Sequence, residues 1–358
     1  MRMSVIVRSK DEADRLRLAL ASLERQSTPA EVVVVNDGST DHTPEVLAAA
    51  ARRMPLTIVT HALARGRSGA ANAGAQAATG EVLVFMDGDT LAGPELVARH
   101  AALHATGIAG VGRGETFHLR CTRNMLDPET GAPRPGEEAR IARLAPDELA
   151  RSTVRRAEIV GDFAAIARRA EPGIYPGAGP RRLYELEIDA LRHHADCGVL
   201  WAAASGSNLS VRRHAFLRSG GFDESIDINE HRELALRLCE AGARMAMVDG
   251  AQTFHLTHRA GWRNPLVDTH WEERFYRAHP RLEVKLLAVF WAGLVPSVDF
   301  PPEARIASLP EFEAAACGGS DVDWDAVRRR IGLPALDPAI TSRSARSAGP
   351  ASQPVSTP

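Results

Sequence analysis

The stretch EVLVFMDGDT, Glu81 to Thr90, decides how this chain is read. Val82 to Met86 form an unbroken apolar run, the pattern of a strand buried on both faces of a parallel sheet. The run stops at Asp87 and Asp89, with only Gly88 between them. Two carboxylates this close to each other and to a core repel unless a cation shares them. Across a glycine they can converge on a hard divalent cation, Mg2+ or Mn2+, which keeps open positions for water and phosphate oxygens. The plain structural alternative is a turn whose aspartates cap a helix starting near Pro94.

Three further apolar runs precede it, MSVIV (3–7), EVVVVN (31–36) and LTIV (56–59). Between the first two, Leu16, Leu20 and Leu23 recur at helical spacing, with Leu18 widening the stripe. Thr43-Pro44 opens a second helix in the way an N-cap followed by proline does. The Ala-rich stretch from Ser68 to Thr79, closed by Gly80, supplies a third. Strands alternating with crossover helices predict an α/β fold whose mostly parallel sheet carries helices on both faces. Ligands in such sheets bind beyond the carboxyl ends of the strands, where NDGSTD (36–41) and DGD (87–89) both lie.

The 358 residues provide for one large domain or two small ones. Hydrophobic residues make up 44% and charged ones 25%, with 43 basic against 45 acidic and a net charge of −2. That balance excludes the basic footprint of a nucleic-acid binder. Cys121, Cys197, Cys239 and Cys317 form no CxxC pair, so reduced cytosolic thiols are expected in place of disulfides or structural zinc. MRMSVIV enters the fold directly, so no signal peptide is expected. The longest apolar window, Val284 to Val295, is too short to span a bilayer and reads as a core helix, with peripheral membrane contact as the alternative. A cytoplasmic location follows. Residues 115–182 carry many prolines and read as an insertion or mobile lid. Residues 261–335 read as a C-terminal helical extension, and 341–358, rich in Ser, Pro and Ala, as a disordered tail.

Asp37 can accept a hydrogen bond from a nucleobase edge, or can belong to a simple strand-to-helix turn. Gly66 and Gly69 permit close backbone approach at a helix N-terminus that favours phosphate, and Arg65 and Arg67 add charge.

SVIV followed by Asp11-Glu12, VVVVNDGSTD, GRSGAANAGAQAATGE and FMDGDT, in this order, resemble the family 2 glycosyltransferases, which have the nucleotide-sugar-binding GT-A fold. The resemblance is strong over residues 3–115 and moderate over 199–260. It implies a nucleotide-binding half over 1–115 and an acceptor-binding half over 116–260. It places nucleotide contacts on Arg8, Glu12, Asp37, Arg65, Arg67, Asn72, Asp87 and Gly88, and a metal on Asp89. Arg8 and Lys10 stand where the family usually has proline and tyrosine, and Ala71 stands where an arginine often precedes Asn72.

SGSNLSVRRHAFLRSGGFDESIDINEHRELALRL resembles the family's acceptor segment. Glu230 fills its first acidic position, His231 replaces the aspartate that normally acts as base, and Glu233 matches the second acid. These three are the candidate catalytic residues. Structural alternatives are a capping box joining Asp227 to Glu230 and an i,i+4 ion pair of Glu233 with Arg237. In FHLTHRAGW, His255 is the candidate to join Asp89 at the metal, and His258 lies three residues on. Trp262, Trp271 and Tyr276 read as packing residues of the C-terminal helix, with stacking on a sugar as the alternative.

The implied activity is transfer of a sugar from a nucleotide-diphosphate donor, a UDP-sugar first, to a glycan, lipid-linked or small-molecule hydroxyl, with metal assistance and inversion. A sugar nucleotidyltransferase would need a Gly-rich loop after the first strand, and VRSKDEADR has no glycine. A binding-only relative without turnover is the non-enzyme alternative, motivated by Ala71 and His231.

Overall fold

The computed structural model describes residues 1–108, 110–173, 180–258, 264–318 and 321–336. The apolar runs become β1 (Met3–Ser9), β2 (Glu31–Asp37), β3 (Thr57–His61) and β4 (Val82–Asp87). Between them lie α1 (Ala13–Leu23), α2 (Thr43–Ala51) and α3 (Gly66–Ala77). β3 starts a residue later than its apolar run and continues to His61. It is an edge strand with mostly exposed side chains, so pairing of Val33 with Thr57 through Asp37 with His61 sets its extent. Next come β5 (Thr90–Ala92), α4 (Leu96–Ala105) and β6 (Val111–His118).

β4 is buried on both faces, as its run requires. Leu83 and Phe85 join one core with Trp201, Phe216 and Phe222, while Val82, Val84 and Met86 join another with Leu16, Leu20 and Val97. Each such side chain withdrawn from water contributes about 1.5–3 kcal/mol.

After β6 the chain forms β7 (Met125–Asp127), β8 (Ala132–Pro133), α5 (Glu138–Ile141), α6 (Pro146–Ser152), α7 (Arg156–Gly161), α8 (Phe163–Ala167) and β9 (Glu171–Pro172). Residues 146–167 hold three short helices, broken after Ser152, where Thr153 is extended, and at Asp162, which ends α7 and caps α8 by accepting from the Ala165 N–H. The described part of this insertion is anchored. Leu119, Val154, Ile159 and Ile166 pack with Leu18, Leu91, Phe254 and Leu256. Arg17 pairs with Asp127 and Glu129, and Arg156 with Glu24. Residues 174–179, part of the expected lid, lie outside the described residues, as do Trp262 and the 341–358 tail.

The rest comprises α9 (Pro180–His193), β10 (Leu209–Arg212), α10 (Arg213–Arg218), α11 (Glu230–Glu240), β11 (Met245–His255), α12 (His270–Ala278), α13 (Leu282–Gly293), α14 (Leu309–Ala316) and α15 (Trp324–Arg330). The main sheet runs β3-β2-β1-β4-β10-β6-β11-β5, with β9 beside β6. β1 to β4 are parallel, and β10 runs antiparallel between β4 and β6. β11 follows β6 in parallel, and its last residues pair antiparallel with β5. α13 is the buried core helix expected from its sequence, and Trp271 is fully buried beneath it. No described helix is long and apolar enough to cross a membrane.

Candidate active site

β1 and β4 pair so that Arg8 lies beside Asp87, and the arginine turns this register into a bridge. Its Nε donates to Asp87 Oδ1 at 2.6 Å and its Nη1 to Glu230 Oε1 at 2.9 Å. Glu230 is the first residue of α11 and is 1% exposed. Burial alone would raise its pKa, but Arg8, His231 and Arg67 hold the carboxyl well below the usual carboxylate range. The structure gives this carboxylate to Arg8, and the helix begins at Asn229 in the left-handed conformation (φ 65°). Arg8 thus ties the carboxyl ends of β1 and β4 to the start of α11.

The metal candidates converge at the end of β4. Asp89 Oδ2 lies 2.7 Å from His258 Nε2 and 3.1 Å from His255 Nε2, and one ligand atom from each residue fits within 4.8 Å of the others. Burial would raise the pKa of Asp89, but the two imidazoles hold it well below its usual range. Bonds of 2.0–2.2 Å at right angles set neighbouring ligands about 3 Å apart, which the two Asp89–histidine distances match. Glu12 lies near enough to Asp89 and Asp87 to feel their charges but is not one of the three converging groups. Burial, Asp89 and Asp87 push its carboxyl well above the ordinary range. At Gly88 an added Cβ would come 2.5 Å from Glu12 Oε1 and 2.8 Å from Ser9 Oγ, so only glycine fits between the aspartates.

Backbone bonds brace the loop that carries both histidines. The Leu119 N–H donates to the His255 carbonyl at 2.9 Å, and the Leu256 N–H to the Asp89 carbonyl at 2.8 Å. Arg15 Nε donates to the Leu256 carbonyl at 3.2 Å while its two other nitrogens hold the Met125 and Leu126 carbonyls. Thr122 Oγ1 donates to the Thr257 carbonyl at 3.0 Å. The insertion is therefore built into the metal candidate's support.

Asp37, at the end of β2, accepts from His61 Nδ1 at 2.7 Å and from the Arg65 and Gly66 N–H groups at 2.8 and 2.9 Å. Its carboxylate shapes the loop in front of α3. Arg65's side chain reaches Glu224, and Asn72 exchanges two 2.9 Å bonds with the Phe222 backbone, so these two fix the 222–224 loop. Arg67 is exposed and near enough to Glu230 to stabilise its charge. Glu233 stands apart from the Arg8 group. It takes two bonds from Arg237, at 2.7 and 2.6 Å, and lies 2.9 Å from His279 Nε2. This is the i,i+4 pair anticipated as the structural alternative. His231 sits beside Glu230, with Nδ1 3.7 Å from Oε2. The sequence reading selected His255 and passed over His258, whose three-residue spacing from it was the available clue. It also missed Arg15 and Thr122, which carry no motif.

Against this geometry, residues 4–117 match the family model described as glycosyl transferase family 2. Two curated relatives match over nearly the whole chain, both described as validoxylamine A glucosyltransferase. That of Streptomyces hygroscopicus subsp. jinggangensis is 30% identical over 349 residues, covering 94% of this chain and 73% of the relative. That of subsp. limoneus is 30% identical, covering 94% and 68%. Among solved structures, S. aureus TarS 1–349 in complex with UDP-GlcNAc superposes with a TM-score of 0.50 at 17% identity, over 83% of this chain and 68% of that one. This last likeness bears on the fold.

Proposed function

This chain belongs to glycosyltransferase family 2 and transfers a sugar from a nucleotide-sugar donor, and on that premise we propose a metal-dependent, inverting transfer to the hydroxyl of a small molecule. The observation that carries the proposal is the convergence of Asp89, His255 and His258 beside the Arg8–Asp87–Glu230 bridge. Asp89, His255 and His258 would hold a divalent ion, Mn2+ before Mg2+ because two of the three ligands are imidazoles. When bound, the ion supplies positive charge that the leaving diphosphate needs. The nucleotide lies along the carboxyl ends of β1, β2 and β4. Asp37 shapes the loop that receives the base, and Asp87, with a third of its side chain exposed, faces the ribose. UDP is the first candidate nucleotide. A carboxylate at the start of α11 receives the proton of the acceptor hydroxyl. The match of nearly the whole chain to relatives named validoxylamine A glucosyltransferase favours a small-molecule acceptor, with validoxylamine A the first to test.

Thermal-shift measurements with UDP, GDP, dTDP and CDP, each with and without Mn2+, test the donor site. A nucleotide at 100 times its dissociation constant adds about 2.7 kcal/mol. The expected result is a shift with one nucleotide that grows with Mn2+ and vanishes in chelator. Stabilisation equal with and without Mn2+ would refute the metal assignment. A metal-dependent shift without turnover on any of a panel of sugar nucleotides and small-molecule acceptors would favour the binding-only alternative raised by Ala71 and His231.

A further inference from the structure

His231 occupies the position of the family's base, and the groups around its ring decide what it can do. Arg232 Nη1 lies 2.8 Å from His231 Nε2. A guanidinium has only donors to offer. Nε2 must therefore present its lone pair, and the one proton of the neutral ring sits on Nδ1. Arg232 cannot turn away. Its Nε donates to the Ala202 carbonyl at 2.7 Å, Nη1 also to Asn229 Oδ1 at 2.8 Å, and Nη2 to Glu187 Oε1 at 2.8 Å. Glu187 is fully buried, and its other oxygen takes a 3.0 Å bond from Arg113, which is fully buried too. The Arg232 guanidinium also lies over the Trp291 ring, 4.9 Å from its centroid. An imidazolium is disfavoured as well. Burial and the cations of Arg232 and Arg8 oppose it more than Glu230 favours it. Nδ1 is buried, 3.7 Å from Glu230 Oε2. It faces Gly206, where an added Cβ would come 3.0 Å from Nδ1 and 3.2 Å from Arg8 Nη2.

We propose that Arg232, locked by Glu187 and Arg113, is a positioning residue that fixes His231 as the Nδ1–H tautomer, making it a hydrogen-bond donor and leaving Glu230 as the base. The proposal rests on the transferase reading above. In the transfer step the acceptor oxygen bonds to the anomeric carbon, and the bond from that carbon to the diphosphate oxygen breaks with its electron pair leaving on the diphosphate. The hydroxyl proton passes to Glu230 Oε2, while Oε1 keeps its bond to Arg8. The Nδ1–H of His231, 3.7 Å from Oε2, points its positive end at that carboxylate and orients it.

The tautomer is read directly from two-bond 1H–15N correlations of histidine-labelled protein, with the His231 resonances identified by their loss in His231→Asn. The expected pattern is a protonated Nδ1 and a lone pair on Nε2 between about pH 6 and 8. An Nε2–H or doubly protonated ring would overturn the proposal, and because no substrate is present this result is separate from the transferase reading. Arg232→Gln should release the ring to a mixture of tautomers; if that variant does not fold, the wild-type spectrum decides alone. In turnover, Glu230→Gln should lower kcat at least about 100-fold, and His231→Asn, which keeps a donor, by no more than about tenfold. With Glu230 held well below the usual carboxylate range, the pH–rate profile of the wild type and of His231→Asn should stay flat on the acid side down to about pH 5. A wild-type acid limb near pH 6 that disappears in His231→Asn would return the role of base to His231.

Discussion

Replacing Arg8 by methionine removes the charge that holds two carboxylates at the mouth of the sheet while keeping a side chain of similar length. The Arg8 side chain is 10% exposed and that of Glu230 2%, so this ion pair is largely withdrawn from water. Breaking such a pair from one side leaves an uncompensated buried charge and costs about 3–5 kcal/mol. Asp87, at 32%, is screened by water and adds at most about 1 kcal/mol. A loss of about 3 kcal/mol at pH 7 is expected, read from urea titrations at unchanged m-value. The pH dependence carries a sign. In the wild type the folded pKa of Glu230 lies below its unfolded value of about 4.3, so its contribution is present above that value and is lost as pH falls through the folded pKa. In the variant burial acts unopposed by Arg8, and the buried acid is best tolerated protonated. The destabilisation should therefore shrink from pH 7 toward pH 5. Adding Glu230→Gln to Arg8→Met should restore part of the loss by removing the stranded charge. A loss under about 1 kcal/mol at pH 7, or a double variant no more stable than Arg8→Met, would refute the desolvated-pair argument.

Thr122→Val removes the hydroxyl that bonds the buried Thr257 carbonyl and should weaken Mn2+ binding about tenfold, measured by titration calorimetry, and lower stability by about 1–3 kcal/mol; equal affinity would show that the histidine loop needs no brace. His258→Ala should erase the Mn2+ dependence of the nucleotide thermal shift at concentrations that saturate the wild type, and a retained dependence would remove it from the ligand set. His100 and His104 are held near pKa 4 by burial, against about 6.5 unfolded, so the unfolded chain binds more protons between these values. Stability should accordingly fall as pH drops from 6.5 toward 4, and His100→Gln should flatten that slope; an unchanged slope would place the acid sensitivity elsewhere.

Features set by short-range pattern were legible in the sequence. The run Val82–Met86 is buried on both faces because alternate residues feed two cores, and an unbroken apolar run is what that demands. The Glu233–Arg237 pair was legible because i,i+4 spacing brings two side chains together on any helix. The place of β10 was not. Four residues, Leu209–Arg212, carry no mark of direction, and their antiparallel insertion between β4 and β6 is decided by partners far away in the chain.

The site shows the same division at finer scale. His255 could be anticipated because it follows an apolar strand, but its meeting with Asp89 depends on the last residues of β11 pairing with β5, His255 opposite Thr90. That pairing, with the Leu256 N–H on the Asp89 carbonyl, also brings His258 to the carboxylate. The role of His231 was open for a stronger reason. Its tautomer is set by Arg232, whose own orientation is set by Glu187, 45 residues away and buried on a helix whose sequence reads as amphipathic and solvated. A charged residue is placed in a core only by its partner. Glu187 is worth burying because Arg113 and Arg232 meet it from two elements, and neither arginine reveals in its local sequence that it points inward. What a residue can do chemically at this site thus depends on contacts between elements, whereas which elements exist depends on pattern along the chain, and only the second can be read before the chain is folded.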